Sequence, residues 1–151
     1  MIQLTCKMTF VWLLLFSGLT TGCGADDIDC GRADLVGYSP PGTAMLMIGT
    51  DCRAKVSLLD SVSNDVVEVD LPSGEYGFRL EIDRNLVRIV DVLTREPVLE
   101  FDIDGEMHPN KPKRRFNVAA LRGTKHEWSI ASFKKNGQRG EIYLIVGLEA
   151  P

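Results

Sequence analysis

The chain has only two histidines, no cysteines spaced C-x-x-C and no H-E-x-x-H, so it lacks the usual ligand patterns of structural and catalytic zinc. It has no glycine-rich phosphate loop. It also has no G-x-S-x-G, because Gly37-Tyr38-Ser39-Pro40-Pro41 breaks that motif at its last position. After the leader, no apolar run reaches the roughly 18–20 residues that a membrane-crossing helix needs. Internal repeats and low-complexity blocks are missing as well. Cofactor chemistry therefore has no motif to rest on, and no cofactor is expected.

What is present begins with a leader. Residues 1–7 carry one positive charge, Lys7, and residues 8–19 are a near-unbroken apolar run of twelve. A charged start, a short apolar middle and small residues at the cut make up a secretory signal. The following Thr20-Thr21-Gly22-Cys23 resembles the lipobox of bacterial lipoproteins, departing from it at Thr20, where leucine is usual. The resemblance covers only the leader. It implies removal of residues 1–22, acylation of Cys23 and a protein held by its N-terminal lipid in a bacterial cell envelope. Gly24 after the cysteine, rather than aspartate, resembles lipoproteins sent to an outer membrane facing the periplasm. Cleavage after Gly22 without lipid, or after Ala25, stays open and would give a secreted protein.

Cysteine counting bears on that choice. Cys6 leaves with the leader, and if Cys23 is acylated then Cys30 and Cys52 form the one possible disulfide. Cleavage after Ala25 leaves the same pair, whereas an unacylated Cys23 would leave an odd thiol in an oxidising compartment. Two free buried cysteines are the plain alternative. The expected organisation is a signal peptide at 1–22, an acidic tether at 23–38 and one β-domain at 39–151, a size that can bury its own core.

Within that domain the period of the apolar residues is two. Residues 43–48 are apolar at nearly every position and suit a central strand, and residues 54–58 and 67–71 alternate. Tyr76, Phe78, Leu80 and Ile82 point one way, and a one-residue slip would put all of them into water. Residues 86–92 and 98–103 follow as a pair similar to a β-propeller hairpin, but the chain has room for about three blades and a propeller takes at least four. Residues 107–115 carry two prolines and five basic or histidine residues and read as an exposed loop. Phe116, Ala119 and Ala120 stand at helical spacing and suggest a short helix over 116–122. Residues 127–133 and 141–146 make a last hairpin with Asn136-Gly137 as its turn, and the final strand should be internal. Eight or nine short strands make an antiparallel β-sandwich or small barrel, with at most one short helix.

Two constellations could carry function. Glu100, Asp102, Asp104 and Glu106 alternate with Leu99, Phe101 and Ile103, so they form either the wet face of a strand or an oxygen-rich site. The second possibility defines one alternative, a carboxylate-based hydrolase or calcium-binding protein. The other constellation is a division of charge. Residues 26–106 hold eighteen acidic and seven basic side chains, whereas residues 107–151 hold nine basic and three acidic. Lys111, Lys113, Arg114 and Arg115, with Lys134, Lys135 and Arg139, could converge on one rim that binds an acidic protein or envelope polymer. The same residues could simply balance the acidic strands. Nuclear import and nucleic acid are set aside because of the leader. Ser73-Gly74-Glu75-Tyr76 is similar to the S-G-x-x-Y loop of bacterial lysozyme-inhibitor lipoproteins, one residue short of its spacing. That defines a further alternative, an enzyme inhibitor or immunity-type lipoprotein. The leading expectation is a non-enzymatic, lipid-anchored binding or accessory module.

Overall fold

The computed structural model describes residues 29–37, 41–120 and 123–150. The expected signal peptide, the lipobox-like junction with Cys23 and the first part of the expected tether lie outside the described residues. Ten strands follow one another: β1 (Gly31–Gly37), β2 (Thr43–Thr50), β3 (Arg53–Asp60), β4 (Val66–Leu71), β5 (Gly74–Asp83), β6 (Leu86–Asp91), β7 (Pro97–Asp102), β8 (Met107–Ala120), β9 (Gly123–Lys135) and β10 (Gln138–Glu149). They form two five-stranded antiparallel sheets, β1-β2-β5-β6-β7 and β4-β3-β10-β9-β8. The architecture is a sandwich, not a closed barrel.

Alternation decides which side of each strand faces the other sheet. Leu46 and Ile48 from β2, Phe78 and Leu80 from β5, and Val87 and Ile89 from β6 are buried from one side. Val56 and Leu58 from β3 and Ile142, Leu144 and Val146 from β10 meet them from the other. Each such side chain, fully removed from water, contributes about 1.5–3 kcal/mol before the entropy of ordering it is subtracted. The last strand is central, as its apolar residues on both faces require: β10 lies between β3 and β9. Its hairpin turn is the one Asn-Gly dictates, with φ of 50° at Asn136 and 79° at Gly137.

Four expectations change. Gly31–Gly37 is an edge strand, paired with β2 from Gly31↔Thr50 to Gly37↔Ala44, so the tether cannot extend to residue 38. β2 is central, between β1 and β5, as expected, but its apolar residues on both faces do not mean that both are covered: Ala44, Leu46 and Ile48 are buried while Met47 is 49% exposed on the outer side. Residues 107–115 are not a loop but the first part of β8, an edge strand. Prolines are tolerated there because an edge has one unpaired side, and its cations discourage pairing with another chain. The helix suggested over 116–122 is strand up to Ala120, because β9 offers that stretch a partner.

Cys30 and Cys52 are joined, with Cα atoms 5.1 Å apart. The bridge ties the base of β1 to the corner where the chain leaves the first sheet for β3. Both cysteines are buried, at 2% and 3% exposure. At that corner the Cys52 amide donates to Thr50 Oγ1 at 2.9 Å, which helps hold the turn.

Candidate functional site

The basic residues are placed by two irregularities in β8 and β9. The pairing of β8 with β9 jumps between Pro109↔Ala131 and Lys113↔Ser129, leaving Asn110, Lys111 and Pro112 as a swelling of the sheet edge. Opposite it, the pairing of β9 with β10 slips between Ile142↔Ala131 and Tyr143↔Ser129, so Ile130 is accommodated as an extra residue. Bulges of this kind re-aim side chains at a sheet edge. Here the swelling is stitched to β9: Ser132 donates to Asn110 Oδ1 at 3.2 Å, and Asn110 Nδ2 donates to Ser129 Oγ at 3.5 Å.

The outcome is a polar, positively charged face on the outer side of β8, β9 and β10. Two depressions adjoin there. One, of about 600 Å³, is lined by Ser61, His108, Ser132, Lys134, Arg139 and Glu141 among others. The second, of about 380 Å³, is lined by Asn110, Lys111, Lys113, Ser129 and Glu141. Glu141 belongs to both and is held from two sides. Its amide donates to Ser61 Oγ at 2.9 Å, its carbonyl accepts from the Ser61 amide at 3.0 Å, and its carboxylate accepts from the Tyr143 hydroxyl. Lys111, Lys113, Lys134 and Arg139 are all exposed, so the face has four solvent-facing cations about the Glu141 carboxylate.

Of the seven cations proposed from the sequence, these four share the face. Lys135, half-buried beside the turn, lines neither depression. The side chain of Arg115 lies outside the described residues. Arg114 pairs opposite Trp128, and its Nη2 reaches His126 Nδ1 at 3.1 Å. A guanidinium can only donate, so Nδ1 accepts and the His126 proton sits on Nε2, a buried atom without a hydrogen-bond partner. His126 also stacks on Trp128, with ring centroids 5.9 Å apart.

Burial, and after it the Arg114 charge, hold the His126 pKa below its ordinary 6.5, while Asp34 pulls weakly the other way. Below 6.5 the unfolded chain takes up a proton that the folded chain refuses. The contribution is therefore complete above that value and declines as the pH falls beneath it. Urea midpoints at pH 7.5 and 5.5 should differ more for the native chain than for His126→Phe, and equal differences would exclude His126 as the cause.

The carboxylates of β7 are engaged as surface partners. Glu100 pairs with Arg88 at 3.1 Å, and Asp102 accepts from Asn85 Nδ2 at 2.6 Å. The strand ends at Asp102, so Asp104 and Glu106 leave the face that alternation alone would give them. Among the described residues no group of three or more histidine, cysteine, aspartate or glutamate side chains could hold a metal ion. In the S-G-x-x-Y-like segment, the Tyr76 hydroxyl turns back to donate to the Pro72 carbonyl at 2.9 Å, and its ring stacks on Phe78. A separate apolar cavity of about 510 Å³ has Leu80, Ile82 and Ile130 among its lining residues, with Lys111 also reaching it.

His108, Asn110, Ser129, Ser132 and Glu141 were not foreseen as site residues. Ser129 and Ser132 signal themselves only as polar residues among apolar ones on β9, where the bulge at Ile130 breaks even that period, and His108 and Asn110 on β8 and Glu141 on β10 carry no signal beyond being polar. No protein-family model, curated protein or solved structure matches the chain.

Proposed function

We propose that the protein is a lipid-anchored, non-enzymatic binding module of a bacterial envelope, held through Cys23 and engaging an acidic protein or phosphorylated envelope polymer. The observation that carries the binding half of this reading is the gathering of Lys111, Lys113, Lys134 and Arg139 about Glu141 on one face. The anchoring half rests on the lipobox-like residues before Cys23 and on the Cys30–Cys52 bridge, which accounts for the other two cysteines of the mature chain.

Strand register agrees with such a role. Gly31 pairs with Thr50, which leads into Arg53, and Arg53 pairs with Glu149, so the chain enters the sandwich at the Glu149 end of β10. Arg139 and Lys134 stand at the other end of that strand. Twelve residues of β10 at about 3.4 Å each make roughly 40 Å, so an anchored molecule directs part of its basic face away from the bilayer. Clustered exposed cations mainly raise association rates with anions, and salt screens them over about 8 Å at physiological ionic strength. The purified mature chain should retain a soluble phosphodiester polymer at low salt and release it by about 0.5 M, where screening is shorter still. Retention that ignores salt, or no retention at all, would remove the basic face from consideration.

A further inference from the structure

The end of the sandwich where the chain enters carries a second feature that the binding face does not use. Leu93, at the tip of the turn between β6 and β7, is 93% exposed. A lone exposed leucine means little, but this one continues an apolar strip. Val92 and Met47 are 44% and 49% exposed on the outer side of the first sheet. They meet over Gly77, where an added Cβ would touch Met47 Sδ at 3.6 Å and Val92 Cγ2 at 3.9 Å. Gly77 thus leaves the two side chains free to close over it.

The turn holds Leu93 outward in a fixed shape. Asp91 Oδ1 accepts from the amides of Leu93 and Thr94 at 2.7 and 2.9 Å, and the Arg95 amide donates to the Asp91 carbonyl at 2.9 Å. The Asp91 amide donates to the Glu96 carbonyl at 2.9 Å, and Arg95 completes the reversal at φ 62°. Every one of these bonds uses backbone or the Asp91 carboxylate, so a serine at position 93 would serve the turn equally well. An apolar side chain held there loses little freedom when it is covered.

We propose that the Leu93 turn, with Val92 and Met47 behind it, rests on the lipid surface to which the chain is anchored. This rests on the anchored reading above. The occupant follows from distance. Five residues, 24–28, separate Cys23 from Asp29, and fully extended they keep Asp29 within about 20 Å of the acylated residue. Asp29 is fixed to the base of β1 by accepting from the Gly31 amide at 2.9 Å. From β1 to β6 is three strand spacings in the order β1-β2-β5-β6, roughly 14 Å across the same end. A bilayer held that close to one corner of the end lies within reach of the other. Single acyl chains bind only marginally, and a second contact adds hold.

The test uses Leu93→Trp in the mature chain beginning at Cys23. With Cys30 and Cys52 bridged, the Cys23 thiol is the one available for coupling to a maleimide phospholipid in neutral phosphatidylcholine vesicles containing brominated lipid. Emission from position 93 should shift to the blue and fall by half or more, while buried Trp128 serves as an unquenched internal reference. Arg84→Trp, in the turn at the opposite end of β6, should show neither change. Equal behaviour at positions 93 and 84 would overturn the proposal, and so would a blue shift at 93 that grows with protein concentration without vesicles, which would make a second copy the occupant. Because the anchor is supplied chemically, failure of acylation is a separate result, read from the mass of the natural N-terminus.

Discussion

Reversing Lys111, Lys113, Lys134 and Arg139 together to glutamate is expected to weaken polyanion binding about a hundredfold without shifting the thermal midpoint appreciably. Each exposed contact of this type is worth about 0.7 kcal/mol. Four add to about 2.8 kcal/mol, and 1.4 kcal/mol is a factor of ten. All four side chains are exposed and belong to outer-face positions, so the core does not register the change; about 0.5 kcal/mol per site bounds the effect on stability. Glu141→Gln should act in the opposite sense. It removes the carboxylate common to both depressions yet keeps an oxygen that accepts from the Tyr143 hydroxyl, so polyanion binding should tighten. Titration by calorimetry at two salt concentrations reads both variants. A large loss of stability on reversal, with binding intact, would mean that the cations serve to balance the acidic strands.

Replacing Cys30 and Cys52 by alanine is expected to cost about 3 kcal/mol and to lower the thermal midpoint on the order of 10 °C. The bridge closes a separation of 22 residues, and a loop of that length accounts for about 3 kcal/mol of unfolded-state entropy in the chain-entropy view. Location concentrates the effect. β1 is an edge strand that puts only Ala33 and Leu35 toward the core, and its base is held by the bridge. Hydrogen exchange should therefore accelerate first in the β1 amides and least in β10, whose inward residues are wholly buried. A variant as stable as the native chain would show that β1 is held by its ladder with β2 alone.

Much of the fold was legible because one-sided burial imposes a period of two. β5 reads directly from Tyr76, Phe78, Leu80 and Ile82, and the central place of β10 reads from apolar residues on both of its faces. Where local pattern misled, an edge was involved. β1 has too few apolar residues to announce itself, and β8 carries prolines and cations that in isolation describe a loop. Both are strands because a neighbour supplies half a ladder, which is a non-local fact. The helical spacing of Phe116, Ala119 and Ala120 lost to the same influence: a partner strand outweighs a weak local preference.

The candidate site divides along similar lines. That the last third of the chain is net basic while the stretch before it is net acidic, and that Cys30 and Cys52 form the available pair, followed from composition and order alone. So did the all-β class, since alternating strands with turns at close intervals must bury one face each; that the strands form two stacked sheets and not a closed barrel was decided by their pairing. Which cations share a surface was decided by register. With a bulge over residues 110–112 and another at Ile130, Lys111 and Lys113 line one depression and Lys134 and Arg139 the adjoining one, while Arg114 is carried to His126. Arg139 and Lys134 are separated from the entry end by the length of β10, and Met47 comes beside Val92, the chain neighbour of Leu93, only because β2, β5 and β6 lie side by side. Period and charge are properties of neighbours along the chain; register, bulges and the order of strands arise from contacts between residues far apart in it, and those contacts exist only once both sheets have formed.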